Sequence, residues 1–414
     1  MRADDTPPDG LALDPTTRRL RLDPHADGFV QDPYRVYAQV HARAPVFFWE
    51  DYGLWCVAGY EAVNRLLRDR RLGRARPATL PPPAGRGHLA DFDAVEAHSM
   101  LELEPPAHTR LRTLVNRAFV SRQVERLRPR VEALAHTLID GFAGDGEAEL
   151  IARFATPIPI TVIAEMLGVP VEAGPQLLDW SHRMVAMYMH APDRAAEDSA
   201  NAAARAFAGF VREHAARRRR QPGDDLMSVL LAANDAGDRL SEDELVSSVI
   251  LLLNAGHEAT VHQTGNAIAT VLAQGGDPRR FFATPAQTAA TVEECLRIDP
   301  PLHMFTRYAY EPVALAEGVR LAPGETVGLL LGAANSDPAA FAEPRGFRPG
   351  RDDQKTVGFG AGIHFCIGAP LARLELQAAL AVLFARLPAL RPAAPPRYRD
   401  SYHFHGLERL DCTW

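Results

Sequence analysis

Lysine is all but missing from this 414-residue chain: Lys355 is the only one, and arginine carries nearly all of the positive charge. With the heavy use of alanine and proline, this reflects GC-rich coding, not function. Cysteine is scarce too. Cys56, Cys295, Cys366 and Cys412 lie far apart and form no CxxC pair, which speaks against a disulfide framework or a cysteine zinc site and fits a reducing compartment. No run of about 18 apolar residues occurs, so no membrane span is expected. The opening "MRADDTPPDGLALDP" lacks an apolar core, so no signal peptide is expected and the cytoplasm is the expected location. A net charge of −7 gives no reason to look for nucleic acid or an anionic membrane as a partner. What remains is ordinary globular composition, 47% apolar and 23% charged, with ample material for a core.

Periodicity supplies the architecture. Residues 1–28 read as an irregular N-terminal arm. "DPYRVYAQVHARA" (32–44) has helical apolar spacing, and "PVFFWEDYGLWCVAG" (45–59) reads as two short strands about a turn. From Gly73 to about Ser99 the chain is rich in Pro, Gly and Arg and is expected to be a long loop. Helical spacing dominates from 105 to 220. Ser241 and Glu244 then form a capping box, heading a helix that nothing interrupts before Gly275-Gly276. A further helix is expected over 284–298, paired strands over 306–331, a structureless proline-rich stretch over 337–356, and a last helix after Gly368. No repeat or linker divides the chain. The expected fold is mainly α with a small β portion, and residues 29–414 form one domain crossed by a long central helix.

"FGAGIHFCIGAPLAR" (359–373) is the most informative stretch. Gly360, Gly362 and Gly368 surround Cys366 just before a helix begins, where glycine permits positive φ and close backbone approach. Backbone N–H groups aimed at the sulfur are expected to favour a thiolate and lower its pKa. Such a thiolate suits a soft metal ligand, and Phe359 can shield one side from water. In "LLLNAGHEAT" (251–260), Glu258 interrupts an apolar helix, which is costly unless the carboxylate is paired or hydrated.

Phe359-Gly360-x-Gly362-x-His364-x-Cys366-x-Gly368 matches the haem-thiolate signature of the cytochrome P450 superfamily, and the chain resembles its soluble bacterial branch along nearly its whole length. The resemblance implies haem b with Cys366 as the proximal iron ligand. It places Glu294 and Arg297 of "EECLR" on one helix face, binding Arg351 of "FRPGR" to lock the stretch beneath the haem. His108 and Arg112 of "EPPAHTRLR", Arg307 of "TRYA" and His364 match partners of the haem propionates. "AGHEAT" matches the distal oxygen-binding segment: Ala255 and Gly256 leave room for dioxygen and distort the helix locally, and Glu258 relays protons beside a water channel. Two departures stand out. The family's Asn-Arg-Asp is Asn335-Ser336-Asp337, and the distal threonine is Ala259, with Thr260 rotated about 100° around the helix.

The implied reaction is monooxygenation: one atom of dioxygen enters a small or mid-sized, largely apolar organic substrate. With no flavin or nicotinamide fingerprint in the chain, electrons are expected from a ferredoxin and its reductase, docking near Arg110, Arg117 and Arg122. The alternatives are a peroxide-driven enzyme, a non-hydroxylating one (coupling or desaturating), and a haem-binding sensor. Residues 74–100, 184–190, 302–305 and 403–404 are expected to approach the substrate, with Leu252, Met187, His303, Met304 and Phe404 as pocket candidates.

Overall fold

The computed structural model describes residues 11–116, 124–232 and 240–414. Helices dominate, and the central one runs unbroken from Glu242 to Leu272. Ser241 accepts the Glu244 backbone N–H and the Glu244 carboxylate accepts the Ser241 N–H, so two otherwise unpaired donors at the helix head are satisfied reciprocally. With 31 residues it is roughly 47 Å long at ~1.5 Å per residue. Its mid-section is buried on most faces, so it needs apolar side chains all round, and its sequence supplies them. The largest core surrounds it, built with the helices Arg128–Asp140, Pro157–Leu167, Gly174–Val185, Arg194–Arg220, Pro285–Ile298 and Ala369–Arg386.

The β portion is a seven-stranded mixed sheet in the order Ala12–Asp14, Arg19–Arg21, Val46–Trp49, Leu54–Val57, Thr326–Leu330, Met304–Ala309, Leu72–Gly73. Val46–Trp49 and Leu54–Val57 pair antiparallel, with Val46 opposite Val57. Smaller sheets bring the C-terminal strands together; Asp411–Thr413 pairs with both Glu147–Glu149 and Arg391–Pro392. The helices expected over 32–44 and 284–298 are present at Pro33–Arg43 and Pro285–Ile298.

Two expectations are corrected. The arm over 1–28 is regular from Ala12: its two strands form an antiparallel pair, and Arg19–Arg21 joins Val46–Trp49 in parallel. Leu13, Leu20 and Leu22 are the buried alternate residues, a period of two too brief to stand out among charged neighbours. The loop over 73–99 contains the helix Ala90–Glu96. Asn201 caps it from outside, its side-chain oxygen accepting the N–H groups of Asp91 and Phe92 at 2.8 and 3.0 Å. That cap comes from a residue distant in sequence, so no local signal announces it.

Residues 337–356 hold neither a helix nor a strand, and what holds them is a buried charge cluster. Arg297 binds both Glu294 carboxylate oxygens at 2.8 and 2.9 Å, and neither side chain is exposed to solvent. Arg297 also donates to the carbonyls of Asn335 and Pro344 at 2.8 and 2.7 Å. Arg351 stands 3.2 Å from Glu294, and the Arg348 N–H donates to it at 3.0 Å. Loop carbonyls here satisfy the arginines, and the arginines replace the ladder that the loop lacks.

Removing one partner strands a buried charge. Glu294→Ala should therefore cost ~3–5 kcal/mol, read as a lower urea midpoint by circular dichroism. A midpoint equal to that of the native chain would show that the cluster does not hold the loop.

Candidate functional site

The cysteine loop is shaped by close backbone approach. Gly360 and Gly362 have φ of 70° and 73°, and a β-carbon at Gly362 would lie 2.6 Å from the Leu67 carbonyl oxygen. Only glycine fits there. The Cys366 N–H donates to the Phe359 carbonyl at 2.9 Å, closing the loop before the helix Ala369–Arg386. Cys366 lies deep in the protein and yet keeps accessible surface. Its sulfur therefore faces an internal hollow.

Burial pushes the Cys366 thiol up, against the N–H groups of Gly368 and Ala369 and the charges of Arg112 and Arg373, which all act to lower it. The expected lowering is thus overturned: desolvation outweighs the oriented donors. A thiolate at this depth needs a cation directly on the sulfur, and a metal ion is such a cation. Phe359 is partly buried, with the Arg373 guanidinium 4.7 Å from its ring centre.

On the central helix, Leu251, Ala255 and Ala259 keep accessible surface while their neighbours Leu252, Leu253, His257 and Glu258 are buried. The spacing of four places these three on one face, and accessible surface in mid-helix marks a hollow. Leu251 continues this stripe; Leu252, the pocket candidate, is 4% exposed and belongs to the core. The expected distortion near Gly256 is also corrected, because the helix is continuous. A β-carbon at Gly256 would meet the Ile163 side chain at 3.0 Å, so this glycine gives room to a neighbouring helix. The Thr260 hydroxyl turns back to the Gly256 carbonyl at 3.3 Å.

Glu258 is buried and held by histidines. His182 Nε2 stands 3.2 Å from Oε2, His257 Nε2 3.5 Å from Oε2, and His262 Nε2 3.1 Å from Oε1. Burial works to raise this carboxyl, but hydrogen bonds from His182 and His262 and the charges of His262 and His257 hold it far below the usual carboxylate range. Of the three, only His182 reaches solvent.

A second polar group lies near the cysteine loop. The His108 and His364 rings are 4.4 Å apart, and His364 Nε2 meets Glu104 at 3.0 Å. Both ring nitrogens of His108 are buried without a partner; burial, then the charges of His364 and Arg112, push it down to about 4. Arg112 donates to the Phe365 carbonyl at 2.6 Å. Arg307, 4% exposed, donates to the Thr306 carbonyl at 2.8 Å, and burial with the nearby Arg74 pushes it down to about 10. Arg74 pairs with Glu102, and its N–H donates to Glu104 at 2.7 Å. Arg74, Arg112, Arg307, His108 and His364 thus gather near Glu96, Glu102 and Glu104. The two unpartnered nitrogens of His108 are costly to bury unless an acceptor joins them, which fits the carboxylates of a bound cofactor.

Two further pocket candidates are placed elsewhere. His303 is fully buried, its Nδ1 2.7 Å from the Tyr37 hydroxyl and its ring 4.4 Å from that of His405. Beside it Asp299 accepts the Tyr34 and Tyr398 hydroxyls at 2.7 Å each. Met304 packs into the core beneath the N-terminal strands. Strand alternation turns its neighbour Phe305 the other way, to within 3.2 Å of a β-carbon built at Gly360. Phe404 bridges to Leu302 and lies 6.1 Å from the His262 ring; Met187 is partly buried against the main core. Arg110 pairs with Glu244, and Arg117 and Arg122 lie outside the described residues. The sequence reading missed Arg74, Glu104 and His182, single residues whose partners lie far along the chain.

Comparison with known proteins agrees with this geometry. The family model described as Cytochrome P450 matches residues 287–391. Cytochrome P450 107B1 of Saccharopolyspora erythraea is 39% identical, covering 93% of this chain and 95% of its own. The 6-deoxyerythronolide B hydroxylase of the same organism is also 39% identical, over 94% of this chain and 97% of its own. Among solved structures, P450BioI in complex with an acyl carrier protein carrying hexadec-9Z-enoic acid superposes with a TM-score of 0.86 at 35% identity, covering 93% of this chain and 99% of that one. No helix among the described residues is long and apolar enough to cross a membrane. With relatives this similar along almost their whole length, and with the cysteine loop and the buried ion pairs in place, the chain belongs to the cytochrome P450 family and is a haem-dependent monooxygenase.

Proposed function

We propose that residues 29–414 form one haem-binding unit in which Cys366 ligates the iron of haem b and His108, Arg112, Arg307 and His364 hold its propionates. The observation that carries this is the buried, unpartnered His108 beside Arg112 and His364, next to a deep thiol that needs a metal. Gly360, Gly362 and Gly368 let the backbone come close, and Phe359 keeps water from one side of the sulfur. The bound haem would supply dioxygen activation, the chemistry that thiolate ligation favours. The chain's own part is to bind substrate beneath the Leu251–Ala255–Ala259 stripe, exclude water, and carry protons through Glu258. His182 is the solvent end of that route.

The substrate we infer is a mid-sized, largely apolar molecule with a polar group. The accessible stripe on the central helix is apolar, and the relatives include a 6-deoxyerythronolide B hydroxylase and a mycinamicin IV hydroxylase/epoxidase. Electrons would come from a ferredoxin and its reductase. The peroxide-driven alternative predicts turnover on peroxide without NAD(P)H, and a sensor predicts none.

The reduced CO complex of the purified protein should absorb near about 450 nm, reflecting sulfur donation. Cys366→His should abolish that band; its persistence would mean that another residue is the ligand.

Arg112→Leu and Arg307→Leu each remove a cation from a buried carboxylate, worth roughly 2–5 kcal/mol. Both variants should release haem faster to an apo-globin acceptor. Native release rates in both would take these residues out of the propionate site.

Ala259 offers no hydroxyl, and that of Thr260 is engaged with the Gly256 carbonyl. We infer that the substrate's own hydroxyl or carbonyl supplies the missing hydrogen bond, by way of a water near Glu258. Product formed per NAD(P)H should be high for the native substrate and fall sharply, with peroxide released, for an analogue stripped of that group. Ala259→Thr should restore coupling on the analogue. Equal coupling on both compounds in the native enzyme would defeat this reading.

A further inference from the structure

Glu258 presents a problem that its proton role does not solve. His257 Nδ1 lies 2.7 Å from the Leu253 carbonyl oxygen. An oxygen with only lone pairs requires N–H on that nitrogen, so the neutral ring leaves Nε2 as a bare lone pair. Nε2 is buried, has no hydrogen-bond partner, and stands 3.5 Å from the Glu258 Oε2. With the ring neutral, two acceptors face each other inside the protein, and a cation shared between them, a proton or a metal ion, removes the conflict.

A third donor completes the set. His182 Nε2, on the helix Gly174–Val185, lies 3.2 Å from the same Oε2, and all three ligand atoms fall within 4.8 Å of one another. Metal–ligand bonds of about 2.0–2.1 Å in a tetrahedron put neighbouring ligand atoms roughly 3.3 Å apart. The two measured contacts already match that spacing.

The surroundings match as well. A metal-bound histidine characteristically donates its other ring N–H to a backbone carbonyl, as His257 does to Leu253. His262 holds the other carboxylate oxygen, Oε1, at 3.1 Å, which leaves Oε2 for the ion. His182 is half exposed and provides the way in from solvent, which a metal site requires. Two imidazoles and one carboxylate are a zinc donor set that leaves a fourth position for water.

We propose that His182, His257 and Glu258 bind a divalent transition-metal ion, with zinc as the best fit, clasping the helix Gly174–Val185 to the central helix. The bound ion would occupy the carboxylate oxygen that faces the solvent-exposed histidine. Binding itself is independent of the haem-site reading; its effect on turnover rests on the proton role proposed for Glu258.

The test uses the tag-free holoenzyme, treated with a chelator and dialysed against buffered zinc, with zinc and iron measured together by mass spectrometry. One zinc per haem iron is expected, together with a zinc-dependent rise in Tm. His182→Ala, at an exposed position, should weaken zinc binding at least tenfold and abolish the Tm rise. His262→Asn, which loosens the carboxylate, should weaken it about 10–100-fold. His25→Ala, at the exposed pair with Asp400, should bind zinc like the native protein. Absence of stoichiometric zinc, or equal zinc in the native enzyme and His182→Ala, would overturn the site. Zinc should also slow NAD(P)H-driven turnover of the native enzyme several-fold while leaving the rate of His182→Ala at its own metal-free value. Zinc bound at one per haem without slower turnover would support the metal site and remove Glu258 from the proton route.

Discussion

The buried pairing of Glu294 with Arg297 is the constraint on which the cysteine side of the molecule depends. Taking both charges out of water is expensive, and their attraction alone repays that cost poorly. The extra hydrogen bonds to Asn335, Pro344 and Gly346 change the balance, because each loop carbonyl would otherwise need a partner of its own. Arg351 adds a second cation to Glu294 and reaches Asp353 at 2.9 Å. The chain thereby reaches Val357, whose N–H binds the Asn335 side chain at 2.9 Å, in a defined position. Three residues later the positive-φ glycines begin. Placement of the thiol is thus set by ion pairs in an irregular stretch, where no helix or strand could do it.

The same tension between burial and charge runs through the site, with different outcomes. At Glu294 two arginines settle it. At Cys366 burial prevails and holds the thiol above its ordinary value. At His108 burial and neighbouring cations act together, so the ring stays neutral until an anion arrives. Asp299, in the cluster of Tyr34, Tyr398 and His405, is held below its ordinary range by His405 and Arg345 against burial, with both oxygens satisfied from within the chain. Buried ring nitrogens stay unpartnered at His108 and at His257, and also at His303 and His405 beside Asp299. Incomplete buried networks are high in energy, and the haem and the ion proposed above would complete those at His108 and His257.

Much of this is legible in the amino-acid sequence. The capping box at Ser241 and the uninterrupted apolar run after it identify the central helix, because both signals are local. Glycines bracketing a cysteine announce close approach for the same reason. Long-range contacts were not legible. Asn201 capping the helix Ala90–Glu96, the pairing of Arg19–Arg21 with Val46–Trp49, and His182 reaching Glu258 each join residues far apart in sequence, and no spacing rule encodes them. His303 and Met304 show a subtler limit. The segment approaches the site, but one residue of register decides which side chains face it, and Phe305 is the one that does.

Gly256 joins packing to chemistry. Its missing β-carbon lets Ile163 approach the central helix to a distance that alanine would contest. With the helices that close, Ala255 and Ala259 stay on the hollow side, while His257 and Glu258 turn toward His182 and His262. One glycine therefore separates two faces of a single helix turn: one small and apolar, the other polar and buried. A threonine in place of Ala259 would bring a hydroxyl to the apolar face. The chain keeps that face bare and gathers its titratable groups on the other, so the proton route proposed through Glu258 would need something mobile between the faces, water or the substrate itself.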